Sequence, residues 1–170
     1  YRIIEEGLNS RTTVFEDPFE AGKKGLDYLL PCLGSHHPDL VIIMLGTNDL
    51  KSRFNATASD ISKGAARLVE VVKNFNHGFM ENPPEVLLIA PPLVLELDNG
   101  KEGWDGAQAK SEQFAYYYGL RAKELGCHFL DASQFIQPCE KEGIHWHVEQ
   151  HQKLANTLSQ LIPTILPLNQ

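Results

Sequence analysis

Glu142-Gly-Ile-His145 sets a carboxylate three residues ahead of an imidazole, in a loop just before the last helix of the chain. A carboxylate so placed folds back to accept the Nδ1–H of the ring, which leaves Nε2 free as a base. A surface glutamate beside a histidine is common, so the pair gains meaning only with a partner. That partner is Val41-Ile-Ile-Met-Leu-Gly-Thr-Asn-Asp49, five apolar residues that stop at Gly46 and give way to small polar ones. The unbroken apolar run reads as a parallel strand covered on both faces, delivering Asn48 and Asp49 to the crevice at its carboxyl end. Asp49 is read as a brace for its own loop. His145-Trp-His147-Val-Glu-Gln-His151 offers a rival chemistry, since imidazoles at such intervals can hold zinc. Residues 145 and 147 diverge unless the segment is extended, and His151 is expected on the packed side of a helix. A metal-dependent hydrolase is therefore kept only as an alternative, and the expected metal content and cofactor set are none.

The elements that must position these residues alternate. Tyr1–Glu6 is β-compatible, and Leu26–Leu30 suits a short helix among prolines and glycines. Thr57-Ala-Ser-Asp60 resembles a capping box, after which Ile61, Ala65, Leu68, Val72 and Phe75 recur at helical spacing. Val86–Ala90 is a second buried strand, ended by Pro91-Pro92. Leu93–Gly106 reads as a surface excursion with a turn at Asp98-Asn-Gly100, and Trp104 in it is either a packing residue or a substrate contact. Residues 107–125 form one predicted helix with Phe114, Tyr117, Tyr118 and Leu125 on one side. Cys127–Asp131 is a further strand, and Val148 to about Leu161 the last helix, with Val148, His151, Leu154, Ala155, Leu158 and Leu161 inward and Pro163 ending it. Strands separated by helices imply a parallel sheet with helices on both faces, hence a three-layer α/β/α fold in a single domain over 1–170.

Composition narrows the partners. A chain of 170 residues with 42% hydrophobic and 22% charged residues can bury a substantial core. Its net charge of -7 argues against nucleic acid or an anionic membrane as partner. No apolar run approaches the roughly 20 residues that span a bilayer. The three cysteines show no C-x-x-C spacing, so a reducing, cytoplasmic setting is expected.

With these residues in hand the chain resembles the SGNH hydrolase superfamily, the GDSL-like lipases, acylhydrolases and esterases. Glu5-Glu-Gly-Leu-Asn-Ser-Arg-Thr-Thr13 is similar to the second sequence block of the arylesterase-like branch, Gly46-Thr-Asn-Asp49 to the third, and Glu142-Gly-Ile-His145 to the last. The resemblance implies a flavodoxin-like sheet and a small-molecule ester substrate. It also implies a Ser-His-acid triad acting through an acyl-enzyme, with His145 as general base and Glu142 as acid. The Gly7 backbone N–H and the Asn48 amide would be the oxyanion-hole donors. Arg11 would anchor the second-block loop or meet an anionic substrate group.

Two departures stand out. Glutamate replaces the aspartate that the family places three residues before its histidine, adding one methylene to the same charge. The family's Gly-Asp-Ser block occurs nowhere in the chain, and Ser10 is a poor substitute for its serine. The nucleophile is therefore expected upstream of Tyr1, on a first strand of the sheet that lies outside these residues. Five buried apolar residues at about 2 kcal/mol each would forfeit ~10 kcal/mol, comparable to a domain's whole net stability. An upstream segment or a second copy is thus expected to complete the sheet. A catalytically inactive binding protein on the same fold is the remaining alternative.

Overall fold

The computed structural model describes residues 1–76, 82–95 and 102–167; the expected turn at Asp98-Asn-Gly100 lies outside them. The elements run α1 (Gly25–His36), β1 (Leu40–Ile43), α2 (Ala58–Lys73), β2 (Glu85–Ala90), α3 (Ala107–Ser111), α4 (Phe114–Leu125), β3 (His128–Asp131) and α5 (Val148–Ile165). The strands pair in parallel in the order β1-β2-β3, with Val41 opposite Val86 and Leu88 opposite Phe129.

Alternation along β2 divides the core. Val86, Leu88 and Ala90 join Ile43 and the buried faces of α2 and α4, including Ile61, Leu68, Val72, Phe114 and Tyr118. Leu87 and Ile89 pack on the opposite face with Ala132, Ile136 and the α5 residues Leu154 and Ile165. Period-two strands between amphipathic helices thus give three layers, as expected. The capping box is formed: the Thr57 hydroxyl accepts from the Asp60 N–H, and the Asp60 carboxylate accepts from the Thr57 N–H. Such a cap contributes about 1 kcal/mol.

Several elements depart from expectation. Tyr1–Glu6 forms no strand, because no chain pairs with it; Ile3 is 82% exposed. β1 is an edge strand rather than one covered on both faces. α5 lies over β2 and β3, so Ile42 remains 39% exposed. α1 runs past Pro31 to His36, anchored by Leu33 in the core. The predicted helix over 107–125 breaks in two, where the Ser111 hydroxyl donates to the Gln108 carbonyl and accepts from the Val94 N–H. α5 continues through Pro163 because Ile165 is buried in the second cluster. On that helix Val148, His151 and Ala155 face solvent, whereas Leu154 is buried with Leu158 and Leu161 packed beside it. Among the described residues no helix is long and apolar enough to cross a membrane.

Candidate active site

Three loops meet the carboxyl edge of the sheet. The first leaves β1 through Gly46, whose φ of +132° suits only glycine. A Cβ there would lie 2.2 Å from the Tyr118 hydroxyl, which itself donates to the Leu45 carbonyl at 2.6 Å. The chain then turns in a 3-10 helix, Asn48–Leu50. Asp49 points into the protein, fully buried, and accepts from the Thr13 N–H at 2.9 Å and from the Thr13 hydroxyl. Burial pushes its pKa up to about 6, although the Thr13 hydroxyl, nearby N–H groups and the charge of Lys51 pull the other way. The brace expected of Asp49 is thus a bond between the β1 loop and the loop before α1. Asn48 points differently. Its amide donates to the Arg11 carbonyl at 3.2 Å, and an amide nitrogen carries a second hydrogen for another acceptor.

The second loop is Leu8–Thr13. Ser10 adopts φ +60°, the left-handed region favoured by glycine, immediately before Arg11. The Arg11 guanidinium stacks over the Tyr28 ring, 4.3 Å from its centre, which anchors the loop on α1. Gly7 is exposed, with open space where a Cβ would stand. Among the described residues no hydrogen bond joins Gly7 to Asn48 or His145. The Ser10-Arg11 stretch is the part of this loop that touches Asn48, a contact that the sequence does not announce although it offers Arg11 as the loop's anchor. Its only signal is a non-glycine residue in a left-handed turn, which spacing does not reveal.

The third loop carries the carboxylate and imidazole. Glu142 Oε2 meets His145 Nδ1 at 2.8 Å, while Oε1 accepts from the N–H groups of Ile144, at 3.1 Å, and His145. Burial acts to raise the Glu142 pKa, but these bonds from His145 and Ile144 outweigh it and hold the carboxyl below its ordinary value. The turn is closed by Cys139 N–H to the His145 carbonyl at 2.6 Å and Gly143 N–H to the Cys139 carbonyl at 2.7 Å. It docks on the segment after β2, where the Leu95 N–H donates to the Gly143 carbonyl at 2.8 Å. Gly143 has φ +77°, and a Cβ would strike the Leu95 carbonyl oxygen at 2.3 Å. Glycine between Glu142 and His145 is therefore required twice over. The imidazole side chain is 81% exposed. Because β1 and β2 run parallel, the loops carrying Asn48 and His145 lie at the same edge.

Trp104 is half-buried against the core, and its carbonyl accepts from the Ala107 N–H that opens α3. Among the described residues His145, His147 and His151 do not converge on one point. His147 is the extended residue before α5, and the exposed His151 ring lies against Trp146 with centroids 5.1 Å apart. A surface hollow lined by Glu16, Gly22, Lys24, Asp27 and Tyr28 contains none of the candidate catalytic residues.

A parallel sheet between helix layers, with an imidazole-carboxylate pair and an amide at its carboxyl edge, defines a three-layer α/β protein with polar groups gathered where sheets of this kind bind ligands. The chain belongs to the GDSL-like lipase/acylhydrolase family, whose model matches residues 1–153. Its fold is that of the SGNH hydrolases. The native aryl esterase of M. smegmatis superposes with a TM-score of 0.90 at 34% identity, covering 97% of this chain and 79% of that one. A carbohydrate acetylesterase family member from Sinorhizobium meliloti gives 0.93 at 31% identity, covering 98% and 81%. Est24, a carbohydrate acetylesterase from the same organism, gives 0.91 at 35%, covering 98% and 80%. A search of curated proteins gave no match.

Proposed function

We propose that this protein hydrolyses small carboxylic esters through a serine acyl-enzyme, with the serine supplied by a strand outside residues 1–170 that pairs with the open edge of β1. The observation that carries this reading is the 2.8 Å contact between Glu142 and Nδ1 of an otherwise exposed His145. A ring bonded at Nδ1 and open at Nε2 is oriented to act as a base. Asn48, in the loop after β1, keeps one amide hydrogen free of the Arg11 carbonyl.

In the proposed sequence the serine oxygen bonds to the ester carbonyl carbon as His145 Nε2 takes its proton. The tetrahedral oxyanion is held by the Asn48 amide and by a backbone N–H of the second-block loop. Gly7 is the donor by family resemblance, and Ser10 by its place beside Arg11. Collapse breaks the bond to the alcohol, which leaves with the proton from His145. Water, deprotonated by the same ring, then releases the acid. Glu142 stabilises the imidazolium in both halves. The described functions of the similar structures support short acyl groups on aryl or sugar alcohols.

The test is p-nitrophenyl acetate hydrolysis by a protein that includes the residues preceding Tyr1, together with labelling by a serine-directed fluorophosphonate. Label on a serine upstream of Tyr1, and loss of turnover in His145→Ala, are expected. Absence of label alongside intact folding would instead mark a binding protein. Label on Ser10 would overturn the upstream nucleophile.

A further inference from the structure

We propose that Glu6, Cys32 and His36 bind a divalent transition-metal ion of the zinc class, which fastens the start of the second-block loop to α1. Cys32 and His36 lie one turn apart on the same face of α1, and Glu6 approaches that face from the N-terminal segment. One ligand atom from each lies within 4.8 Å of the other two, and no other group of three potential ligands converges so among the described residues. Cys32 is half-buried and the side chains of Glu6 and His36 are each 32% exposed, so an ion would be partly shielded from water yet reachable. Thiolate, imidazole and carboxylate are the donor set that zinc accepts, and three protein ligands leave the fourth tetrahedral position to water.

The surroundings favour the carboxylate as a ligand. Glu6 Oε2 accepts from the Tyr28 hydroxyl at 2.7 Å, which orients the group and leaves Oε1 directed at His36 Nε2, 2.6 Å away. Ligating carboxylates commonly carry such an orienting bond. On binding, the Cys32 thiol gives its proton to solvent; His36 gives up the Nε2 proton that it donates to Glu6, the ring holding its remaining proton on Nδ1, and offers the Nε2 lone pair. The direct contact between Glu6 Oε1 and Nε2 opens to the roughly 3.3 Å that tetrahedral bonds of about 2.0–2.3 Å require. The two negative ligands then balance the charge of the ion. Tyr28, which holds Glu6, is the ring on which Arg11 stacks, and Arg11 receives the Asn48 amide. An ion at this point would therefore tighten the path from α1 to the sheet edge.

This site stands apart from the proposed serine chemistry, and its test needs no turnover. The purified protein is titrated with Co²⁺ and followed by absorption spectroscopy. One equivalent is expected to give tetrahedral d–d bands and a thiolate-to-cobalt charge-transfer band, both lost on adding Zn²⁺. Cys32→Ser should abolish the charge-transfer band, and His36→Gln should weaken Zn²⁺ affinity at least tenfold with the thermal melt of the metal-free protein little changed. Zn²⁺ should raise the melting temperature of the wild type and not of either variant. The proposal is overturned if no charge-transfer band forms, or if the band survives Cys32→Ser and vanishes instead with Cys127→Ser or Cys139→Ser. Should Cys32→Ser fail to fold, unchanged Zn²⁺ affinity in His36→Gln overturns it alone.

Discussion

At the scale of single residues, the candidate chemistry rests on how an exposed imidazole and a half-buried carboxylate are held. His145 is oriented by Glu142, and Glu142 by two backbone N–H groups of the same turn. Glu142→Gln keeps the shape but removes the charge that stabilises an imidazolium, so kcat for p-nitrophenyl acetate should fall by about 10²-fold or more while KM changes little. Asn48→Ala should cost about 10²–10³ in kcat, the scale of one oxyanion-hole donor. A variant retaining more than a tenth of wild-type kcat at either position would remove that residue from the proposed machinery. The Glu142–His145 contact was legible in the sequence because it is local: three residues and a glycine suffice to close it. The Arg11 carbonyl that receives Asn48, and the Leu95 N–H that docks the histidine turn, were not legible. Each depends on a backbone atom far away along the chain, and backbone atoms leave no mark in residue identity.

At the scale of elements, the strand-to-loop junction after β1 is the critical joint. Gly46→Ala places a methyl group against the Tyr118 hydroxyl in a backbone region that alanine avoids. A loss of several kcal/mol in chemical denaturation is expected, and a loss below about 1 kcal/mol would show that Tyr118 yields easily. Asp49 makes the same joint sensitive to pH. Its folded carboxyl keeps a proton up to about 6, whereas an unfolded one loses it near 3.8. Between those values the folded state binds more protons, so the contribution of this group to stability falls as pH rises through the window and is lowest above it. The full excursion is about 3 kcal/mol, and Asp49→Asn should flatten it when unfolding free energies are compared at pH 4 and pH 7. A slope equal to that of the wild type would show that Asp49 titrates normally. Helix and strand types were readable from period and capping signals, as the α2 box illustrates. Extents were less so: Pro31 and Pro163 looked like stops, but Leu33 and Ile165 each bury enough apolar surface beyond them to hold the helix together.

At the scale of the whole molecule, the governing feature is the outer edge of β1. Among the described residues its ladder is paired on one side only, Ile42 is exposed, and Tyr1 and Ile3, in the segment that forms no strand, are exposed too. Apolar edge strands invite pairing, and this edge adjoins the site where a nucleophile is wanted. We infer that the edge is covered in the working protein, by a strand from outside residues 1–170 or by a second copy of the chain. The chain covers 79–81% of the length of the three similar esterases. The two sources separate experimentally through Ile42→Lys. In a protein of residues 1–170 alone, sedimentation should reveal self-association that the lysine suppresses, since a charge on the open face opposes edge-to-edge pairing. In a protein that also carries the preceding residues, the same change should leave a monomer but lower its stability by about 2 kcal/mol, the order expected for exposing one buried isoleucine. A 1–170 protein that sediments as a monomer and unfolds at the same temperature with either residue at position 42 would show that this edge needs no cover, and the serine would then have to be sought within the chain.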